Sequence, residues 1–493
     1  MNLFLFFVVA IILSIINNQK LNRYNNILYL LVFCCIVIVY CVFSANSYAS
    51  IHFLPKKDLN VYFHTGNFYN WLMTSFFKFK LNLDVNANFV NYLSNLPSEY
   101  LFDQNSVPIE VKMFYDTSIY DNKIYLYFGI TPIILFYAPF YLITHFFISD
   151  QIVYALLSVI IFVLQLLILK KVLLYLIQSN ILKKDINKYF NVITLIVLSL
   201  CNGIPLTYIS ITVHSIAVLT SIFCQLVAIY LCLLLVNNFT KRKMFFIGLF
   251  LTLAVGSRPS SIILLLLLFV FMLYIFNIKK YWKQYLCFFI PIIIYGIILA
   301  TYNYMRFNSI FDFGLLYQFG PMYNKNSINN FNVSFITFAK NIFFNIFYLP
   351  TFTFITPLCL FKNPENLSHF EPMIGGFIIC PIVVFLLFIK KIFIRFFNDN
   401  KNIPLLIIVM LITSLCYILL NSCMGSNARF VAEYLSLLLV PSFISFYVFV
   451  ENINNIKLQK IVYMLFFSFV IFSLYVNINL MNCIFIMSKN GMI

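Results

Sequence analysis

The chain has 493 residues, of which 62% are hydrophobic and 10% charged, and its mean hydropathy is +0.94. Soluble proteins are closer to half apolar and a quarter charged, so this composition excludes an ordinary soluble globular protein. The formal net charge of +17 comes from short basic clusters between apolar segments, which is typical of cytoplasmic loops and not of a nucleic-acid-binding surface. The clusters are Lys20 with Arg23, Lys170/Lys171 with Lys183/Lys184/Lys188, Lys241/Arg242/Lys243, Lys279/Lys280/Lys283, Lys390/Lys391/Arg395, and Lys457 with Lys460.

Apolar runs that could cross a bilayer recur along the chain, since about 20 residues rising about 1.5 Å each span the hydrocarbon core. The sequence therefore predicts an all-α fold, a polytopic membrane bundle of about 12–14 helices with a large extracytoplasmic loop carrying interfacial helices. Spans are predicted near 3–16, 27–44, 152–169, 191–209, 211–236, 244–256, 261–278, 284–303, 370–389, 404–422, 429–450 and 461–483. The stretches 128–148 and 337–361 contain internal prolines and are predicted as re-entrant or surface-lying helices.

The basic clusters also predict the topology. If every cluster is cytoplasmic, residues 45–126 and 304–336 face outward, and both termini lie outside. The predicted regions are 1–44 (two membrane spans), 45–127 (the outer loop), 128–303 (a membrane bundle), 304–369 (an outer and partly embedded segment) and 370–493 (C-terminal spans).

The outer loop carries an unusual share of the acidic residues. It contains Asp58, Asp84, Glu99, Asp103, Glu110, Asp116 and Asp121, together with six lysines. The stretch Phe68–Phe79 is predicted to be an amphipathic helix at the membrane surface, with Trp71 in the interface. Long ordered loops tend to carry function, so this loop is the predicted active-site region.

Three arginines and a glutamate are predicted at the outer ends of helices: Arg258, Arg306, Arg429 and Glu433. An arginine at membrane depth costs several kcal/mol and so has a partner or a task. Guanidinium groups bind phosphate oxygens in pairs, which suits a substrate with an anionic lipid head. Snorkelling and structural pairing are the alternative, because Arg429 and Glu433 have i,i+4 spacing. Both interpretations stay open on the sequence.

Among the loop carboxylates, Asp58 and Asp116 are the candidates for catalysis. Asp116 has a helix or turn cap as its alternative role, and Asp121-Asn122 is predicted to form a turn. The five histidines show no metal-ligand spacing, and the chain has no nucleotide-binding loop and no hydrolase elbow. His214, inside a predicted span, is interpreted as a packed, hydrogen-bonded residue. The cysteines lie mostly in apolar stretches without a CxxC pair, as expected of buried small side chains.

Several segments resemble bacterial members of the GT-C superfamily of membrane glycosyltransferases. They are the run from Asp116 through Tyr120, Lys123 and Gly129 to Pro132, then Ala138-Pro139-Phe140, the earlier Gly66 to Asp84, Ser257-Arg258-Pro259, Asn303 and Arg306 to Gly314, and the Arg429 region. The resemblance implies an enzyme of the bacterial cytoplasmic (inner) membrane. It would transfer a sugar from a polyprenyl-phosphate-linked donor to an envelope glycan, lipid or protein acceptor on the extracytoplasmic face.

The resemblance also assigns roles to residues. Asp58 or Asp116 would be the catalytic carboxylate, and Arg258, Arg306, Arg429, Tyr120, Lys123 and Glu433 would bind the substrate. The chain departs from the family in an extra span before the loop, and Asp58 has no neighbouring acid, which leaves a requirement for a divalent cation open. The implied partners are the lipid-linked donor and membrane lipids, with no nucleic acid and no indicated protein partner. A transporter or flippase, or a polymerase or ligase of lipid-linked glycans, is the alternative.

Overall fold

A computed structural model of the chain describes residues 32–42, 67–96, 107–108, 111, 114–115, 117–127, 129–179, 181–182, 188–209, 211, 213–320, 334–352, 359–360, 374–390, 402–425 and 427–489. Over these ranges the protein is largely helical, with two short β-hairpins. Six of the described helices are long and apolar enough to cross a membrane. The predicted all-α membrane bundle is thus confirmed.

The helices and strands follow one another as α1 (Val32–Val42), α2 (Phe68–Phe77), α3 (Ala87–Ser94), β1 (Ser118–Tyr120), β2 (Lys123–Tyr125), α4 (Ala138–Thr144), α5 (Asp150–Gln178), α6 (Lys188–Leu200), α7 (Val213–Asn237), α8 (Lys241–Ser257), α9 (Ile262–Ile275), α10 (Ile278–Phe307), α11 (Phe335–Phe347), β3 (Thr351–Phe352), β4 (Cys359–Leu360), α12 (Gly376–Ile379), α13 (Asn402–Met424), α14 (Ala428–Glu451) and α15 (Ile456–Lys489). The six long apolar helices are α5, α7, α10, α13, α14 and the Ile456–Met481 part of α15.

Two predicted spans are interrupted. The 191–209 span ends as α-helix at Leu200, and a 3-10 helix over Ile204–Ile209 follows, because Gly203 has a φ of +80° and Pro205 lacks a backbone donor. The described part of the 370–389 span, from residue 374, contains α12 and a 3-10 helix over Pro381–Phe388, with Pro381 at the break. The predicted 3–16 span lies outside the described residues.

The 128–148 stretch forms a short apolar helix over Ile133–Thr144, whose first turn is a π-helix. It is too short to cross about 30 Å of hydrocarbon at about 1.5 Å per residue. The full-length crossing that follows is α5, which begins at Asp150. This agrees with the predicted re-entrant or surface-lying segment.

The bundle is built around helices that are buried on nearly every side. Almost all of α14 is buried, and α8 packs closely between α7 and α10. A Cβ on Gly248 would lie 2.2 Å from the Phe288 carbonyl oxygen, so a glycine is required where α8 crosses α10. By contrast, α10 and α15 expose apolar side chains such as Ile293 and Met464. These outer faces suit contact with lipid.

The outer loop packs onto this bundle through α2. Tyr69 is fully buried, with its ring 5.3 Å from that of Tyr137, and the Asn70 amide donates to the Ile148 carbonyl at 2.7 Å. The ring of Trp71 lies 6.0 Å from that of Phe114, within the loop. The predicted helix therefore exists, and its Tyr69 and Asn70 side packs against the residues before α5.

A β-hairpin continues the loop. Strands β1 and β2 pair in antiparallel register, with Tyr120 opposite Lys123. The connecting residues Asp121 and Asn122 have φ values of +48° and +55°, as in the two-residue turns that suit β-hairpins. The predicted turn is confirmed.

The contact between Gly129 and Gly256 yields a stability prediction. A Cβ on Gly129 would lie 1.5 Å from the Gly256 carbonyl oxygen, so Gly129→Ala must displace backbone. We expect a loss of at least the roughly 1–3 kcal/mol typical of overpacking. Thermal unfolding in detergent measures this.

Gly296→Ala is the matched control. A Cβ on Gly296 meets nothing within 4 Å, and alanine is favoured over glycine inside a helix by roughly 0.5–1 kcal/mol. The control should melt at or slightly above the wild-type temperature. Equal melting of the two variants would show that the Gly129 contact is unimportant.

Asp84 yields a prediction of pH dependence. Hydrogen bonds from Lys78, at 2.7 Å, and Lys80, at 2.6 Å, hold the pKa of Asp84 below its usual range. A lowered pKa adds stability above the unfolded-state pKa of about 3.9, and this is lost as pH falls through the folded-state pKa. Asp84→Asn should therefore lower the free energy of unfolding by about 0.2–1 kcal/mol at pH 7, the range of exposed ion pairs, and should not change it once Asp84 is protonated at low pH. Melting curves at pH 7, 5 and 3 test this, and a constant difference would contradict it.

Candidate functional site

A buried ion pair lies where α8 ends. Arg258 follows α8 directly and has extended backbone angles (φ −144°, ψ 113°), as a residue before proline prefers. Its Nε lies 2.9 Å from Oε1 of Glu433, in the second turn of α14. The Glu433 side chain is fully buried, whereas that of Arg258 is 19% exposed. The pair thus has an inner carboxylate and an outer guanidinium.

Neutral side chains complete the pair. The Asn421 amide of α13 donates to Glu433 Oε2 at 3.0 Å, and its own oxygen accepts from Arg258 Nη2 at 3.2 Å. The Ser260 hydroxyl donates to Glu433 Oε1 at 3.2 Å. Both carboxylate oxygens are therefore satisfied, as a buried charge requires. The ring of Phe430 lies 5.4 Å from the Arg258 guanidinium carbon. We call Arg258, Ser260, Asn421, Phe430 and Glu433 the arginine cluster.

The partner of Glu433 differs from the one that local spacing indicates. The i,i+4 spacing favours Arg429, but the ion pair that the structure shows is with Arg258, 175 residues away in the chain. Arg429 lies half-buried in the first turn of α14, where its backbone N–H donates to the Asn427 cap at 3.0 Å. Glu433 lies one turn deeper and faces α13 and the α8–α9 junction.

Arg306 lies in the last turn of α10 and is almost wholly buried. Its Nη1 donates to the Leu126 carbonyl and its Nη2 to Asn303 Oδ1, both at 2.7 Å. The guanidinium carbon lies 3.8 Å from the centre of the Tyr302 ring and 4.7 Å from that of Phe307. Arg306 thus joins the end of α10 to Leu126, the residue after β2. Both of its terminal nitrogens already donate hydrogen bonds to protein atoms.

The hairpin residues Tyr120 and Lys123 lie beside this junction. The Tyr120 ring is 4.5 Å from Tyr317 and 5.7 Å from Phe307, and Asn308 donates to its hydroxyl at 3.4 Å. Lys123 is exposed. Tyr120 therefore packs mainly against protein, whereas the ammonium group of Lys123 is accessible.

The arginine cluster and Arg306 lie at the same end of the bundle. Leu126, which Arg306 holds, is three residues from Gly129, a separation of at most about 11 Å. Gly129 touches Gly256, two residues before Arg258. Between them, the Tyr127 hydroxyl lies 3.2 Å from His214 Nδ1, so His214 is the hydrogen-bonded residue that the sequence indicates.

Three polar residues at this end were missed by sequence reasoning: Ser260, Asn421 and Asp150. Asp150 is buried at the start of α5, where its carboxylate accepts from the Tyr137 hydroxyl at 2.5 Å and its backbone N–H donates to Asn67 at 3.3 Å. The available signal was a polar residue at the edge of an apolar run, which marks Asp150 and Asn421 alike.

The two candidate catalytic carboxylates, Asp58 and Asp116, lie outside the described residues. Within the part of the chain that the structure describes, no group of three or more His, Cys, Asp or Glu side chains could hold a metal ion. The described geometry therefore does not include the predicted attacking base.

Comparisons with known proteins found similar solved structures. The structure is similar to the apo oligosaccharyltransferase of Archaeoglobus fulgidus, with a TM-score of 0.47 and 12% identity over 91% of this chain and 56% of the other. It is also similar to the oligosaccharyltransferase AglB of that organism in complex with an inhibitory peptide and a dolichol-phosphate, with a TM-score of 0.44 and 13% identity over 93% and 56%.

The chain spans just over half of the length of each neighbour. No protein-family model and no curated protein matches the sequence. A likeness at TM-scores below 0.5 identifies neither substrate nor reaction.

The ion pair gives a prediction about stability. Arg258→Ala leaves Glu433 buried without its counter-charge, and breaking a buried pair in this way costs about 3–5 kcal/mol. Adding Glu433→Gln removes the stranded charge, so the double variant should be more stable than Arg258→Ala alone. Denaturation of the wild type, Arg258→Ala, Glu433→Gln and the double variant in detergent provides the double-mutant cycle.

Arg429→Ala is the control for this cycle. It removes an arginine from the first turn of α14 without depriving Glu433 of its counter-charge, so we expect a smaller loss of stability than for Arg258→Ala. If Arg258→Ala and Arg429→Ala unfold alike, the ion pair does not hold these helices together.

Proposed function

We propose that this protein is a glycosyltransferase of the bacterial cytoplasmic membrane. It moves a sugar from a polyprenyl-phosphate-linked donor to an envelope glycan, lipid or protein acceptor on the extracytoplasmic face. The observation that carries the proposal is the arginine cluster, in which buried groups hold a partly exposed guanidinium at the ends of three helical segments.

The chemistry of such a reaction needs this kind of group. As the sugar leaves, the bond between its anomeric carbon and the lipid phosphate breaks, and negative charge develops on the phosphate oxygen. A guanidinium that is already oriented stabilises this charge without reorganising at the moment of reaction. Glu433 and Asn421 hold Arg258 in one orientation, and its remaining N–H groups suit two phosphate oxygens.

Glu433 also stabilises the guanidinium of Arg258 when no substrate is bound. An arginine near the hydrocarbon core without a partner costs several kcal/mol. The buried carboxylate offsets that cost when no substrate is bound. An incoming lipid phosphate then shares the guanidinium with Glu433, because the fork of an arginine offers five donors.

The other predicted residues take supporting roles in this proposal. Lys123 is exposed and suits the head group of the donor, while Arg429, whose Nε donates to Asn427 Oδ1 at 3.5 Å, adds positive charge at the start of α14. Arg306 and Tyr120 position the outer loop against α10, since their polar groups already bond protein atoms. The acceptor hydroxyl would be deprotonated by Asp58 or Asp116, as the resemblance implies.

Sugar transfer in proteoliposomes tests the proposal. Asp58→Asn and Asp116→Asn are assayed separately with a polyprenyl-phosphate-linked sugar and a glycan acceptor. Loss of a general base lowers rates by roughly 10²–10⁴-fold, and we expect this for one of the two.

Asp121→Asn provides the matched control, because this residue belongs to the same loop but sits in the hairpin turn. It should retain wild-type transfer. Full activity in both test variants would overturn the catalytic assignment. Movement of the lipid-linked sugar across the bilayer without transfer would favour the flippase alternative instead.

A further inference from the structure

In α11 the buried side is polar and the exposed side is apolar, which is the reverse of a helix on the surface of a soluble protein. Its buried side carries Asn341, 3% exposed, and Asn345, fully buried. Its outward side carries Phe335, Phe343 and Phe347, which are 82%, 56% and 44% exposed. The phenylalanines follow the i, i+8, i+12 spacing of one helix face. We call these three residues the phenylalanine stripe.

The polar side of α11 is fixed to the outer ends of two bundle helices. The Asn341 amide donates to the Ser422 carbonyl and the Asn345 amide to the Ser422 hydroxyl, each at 2.9 Å. The Tyr434 hydroxyl donates to the Asn345 carbonyl at 2.6 Å. These bonds orient α11, so the stripe faces outward because the asparagines face inward.

Water does not suit the outward face. The stripe exposes three phenylalanine rings, and Ile336 beside them is 67% exposed, which is a contiguous apolar surface of the kind that marks a membrane or protein contact. A 13-residue helix is about 20 Å long and does not span the bilayer. Interfacial helices bury such a face in the boundary between head groups and acyl chains.

The surroundings of α11 favour lipid as the occupant. Ile412, Leu415 and Leu419 lie on one face of α13, the helix that α11 contacts, and are exposed by 41%, 56% and 40%. Met424, at the end of α13 near Ser422, is 53% exposed. The stripe therefore belongs to a helix packed against one that exposes an apolar face and is long and apolar enough to cross the membrane. Lys340, exposed on α11, can reach the anionic head groups while its stem covers apolar surface.

We propose that α11 lies in the extracytoplasmic leaflet, with the phenylalanine stripe among the outermost acyl carbons of the bilayer lipids. A consequence, which rests on the proposed function, is that the arginine cluster is held at the depth of the lipid phosphates. Ser422, which α11 binds, is the neighbour of Asn421, which contacts both Arg258 and Glu433. The helix thus sets the depth at which a lipid-linked phosphate meets Arg258.

Depth-dependent fluorescence quenching tests this proposal in the full-length protein. The two native tryptophans are replaced (Trp71→Phe and Trp282→Phe), and Phe343→Trp supplies the probe. The protein is reconstituted in vesicles whose phosphatidylcholine carries bromine either near the head group or near the chain end. We expect stronger quenching by the shallow bromine than by the deep one.

Ile293→Trp in the same background is the matched control, because Ile293 is 57% exposed near the middle of α10. It should be quenched most by the deep bromine. A Phe343→Trp probe that neither lipid quenches, beside a quenched control, would overturn the proposal and indicate that water or a second copy covers the stripe. A Phe343→Trp profile as deep as that of the control would overturn it as well.

Met424→Trp tests the consequence for the arginine cluster. Met424 lies two residues after Ser422 at the end of α13, so shallow quenching is expected there, and deep quenching would reject the assigned depth of Arg258. None of these measurements requires sugar transfer. If the quenching is as expected while the Asp58→Asn and Asp116→Asn variants stay active, the catalytic assignment fails and the placement of α11 stands.

Discussion

The cost of burying a charge organises the end of the bundle where α8, α13 and α14 meet. Glu433 of α14 is fully buried, and the groups that satisfy it come from α13 and from the junction of α8 with α9. Each of these segments would otherwise be free to shift along its neighbours, because apolar helix faces fix register weakly within lipid. A buried carboxylate has a narrow set of acceptable partners. The ion pair therefore specifies how the segments meet.

The same end of the bundle is joined to the outer loop by two contacts of different chemistry. Arg306 binds the backbone of Leu126 with a charge-assisted hydrogen bond, and Gly129 lies directly against the backbone of Gly256. The hydrogen bond from Arg306 orients the backbone at Leu126. The contact between Gly129 and Gly256 brings two backbone segments closer than any side chain would allow. Because both involve backbone, they hold the loop whatever the neighbouring side chains are.

Local pattern predicted the long helices well, because hydropathy and helix length are properties of contiguous residues. The predicted spans 152–169, 211–236 and 404–422 lie within or nearly within α5, α7 and α13. Hydropathy failed near Pro381, where a run of sufficient length is divided by a change of backbone conformation. Mean hydropathy counts proline only by its side chain, whereas the missing backbone N–H of proline interrupts the α-helix.

The site was harder to predict than the spans, because its contacts join distant parts of the chain. Local spacing offered Arg429 as the partner of Glu433, and the sequence contains no signal that ranks Arg258 above it. The choice depends on depth: Glu433 lies a turn further into the bundle, where Asn421 and Ser260 can satisfy its oxygens. Asn421 itself could be noticed as a polar residue in an apolar run, but its double role between Arg258 and Glu433 follows only from the packing of α13 on α14.

The helix α11 shows why hydropathy alone does not separate a membrane-spanning helix from one that lies in the interface. Both kinds are rich in phenylalanine and isoleucine, and what distinguishes α11 is the position of two asparagines on one face. Asn341 and Asn345 would be costly against lipid, so they turn inward to Ser422, and the phenylalanines are turned outward as a result. In a soluble protein the same packing would leave an unstable apolar surface. In a bilayer it fixes the helix at one depth, and through Ser422 and Asn421 it fixes the arginine cluster with it.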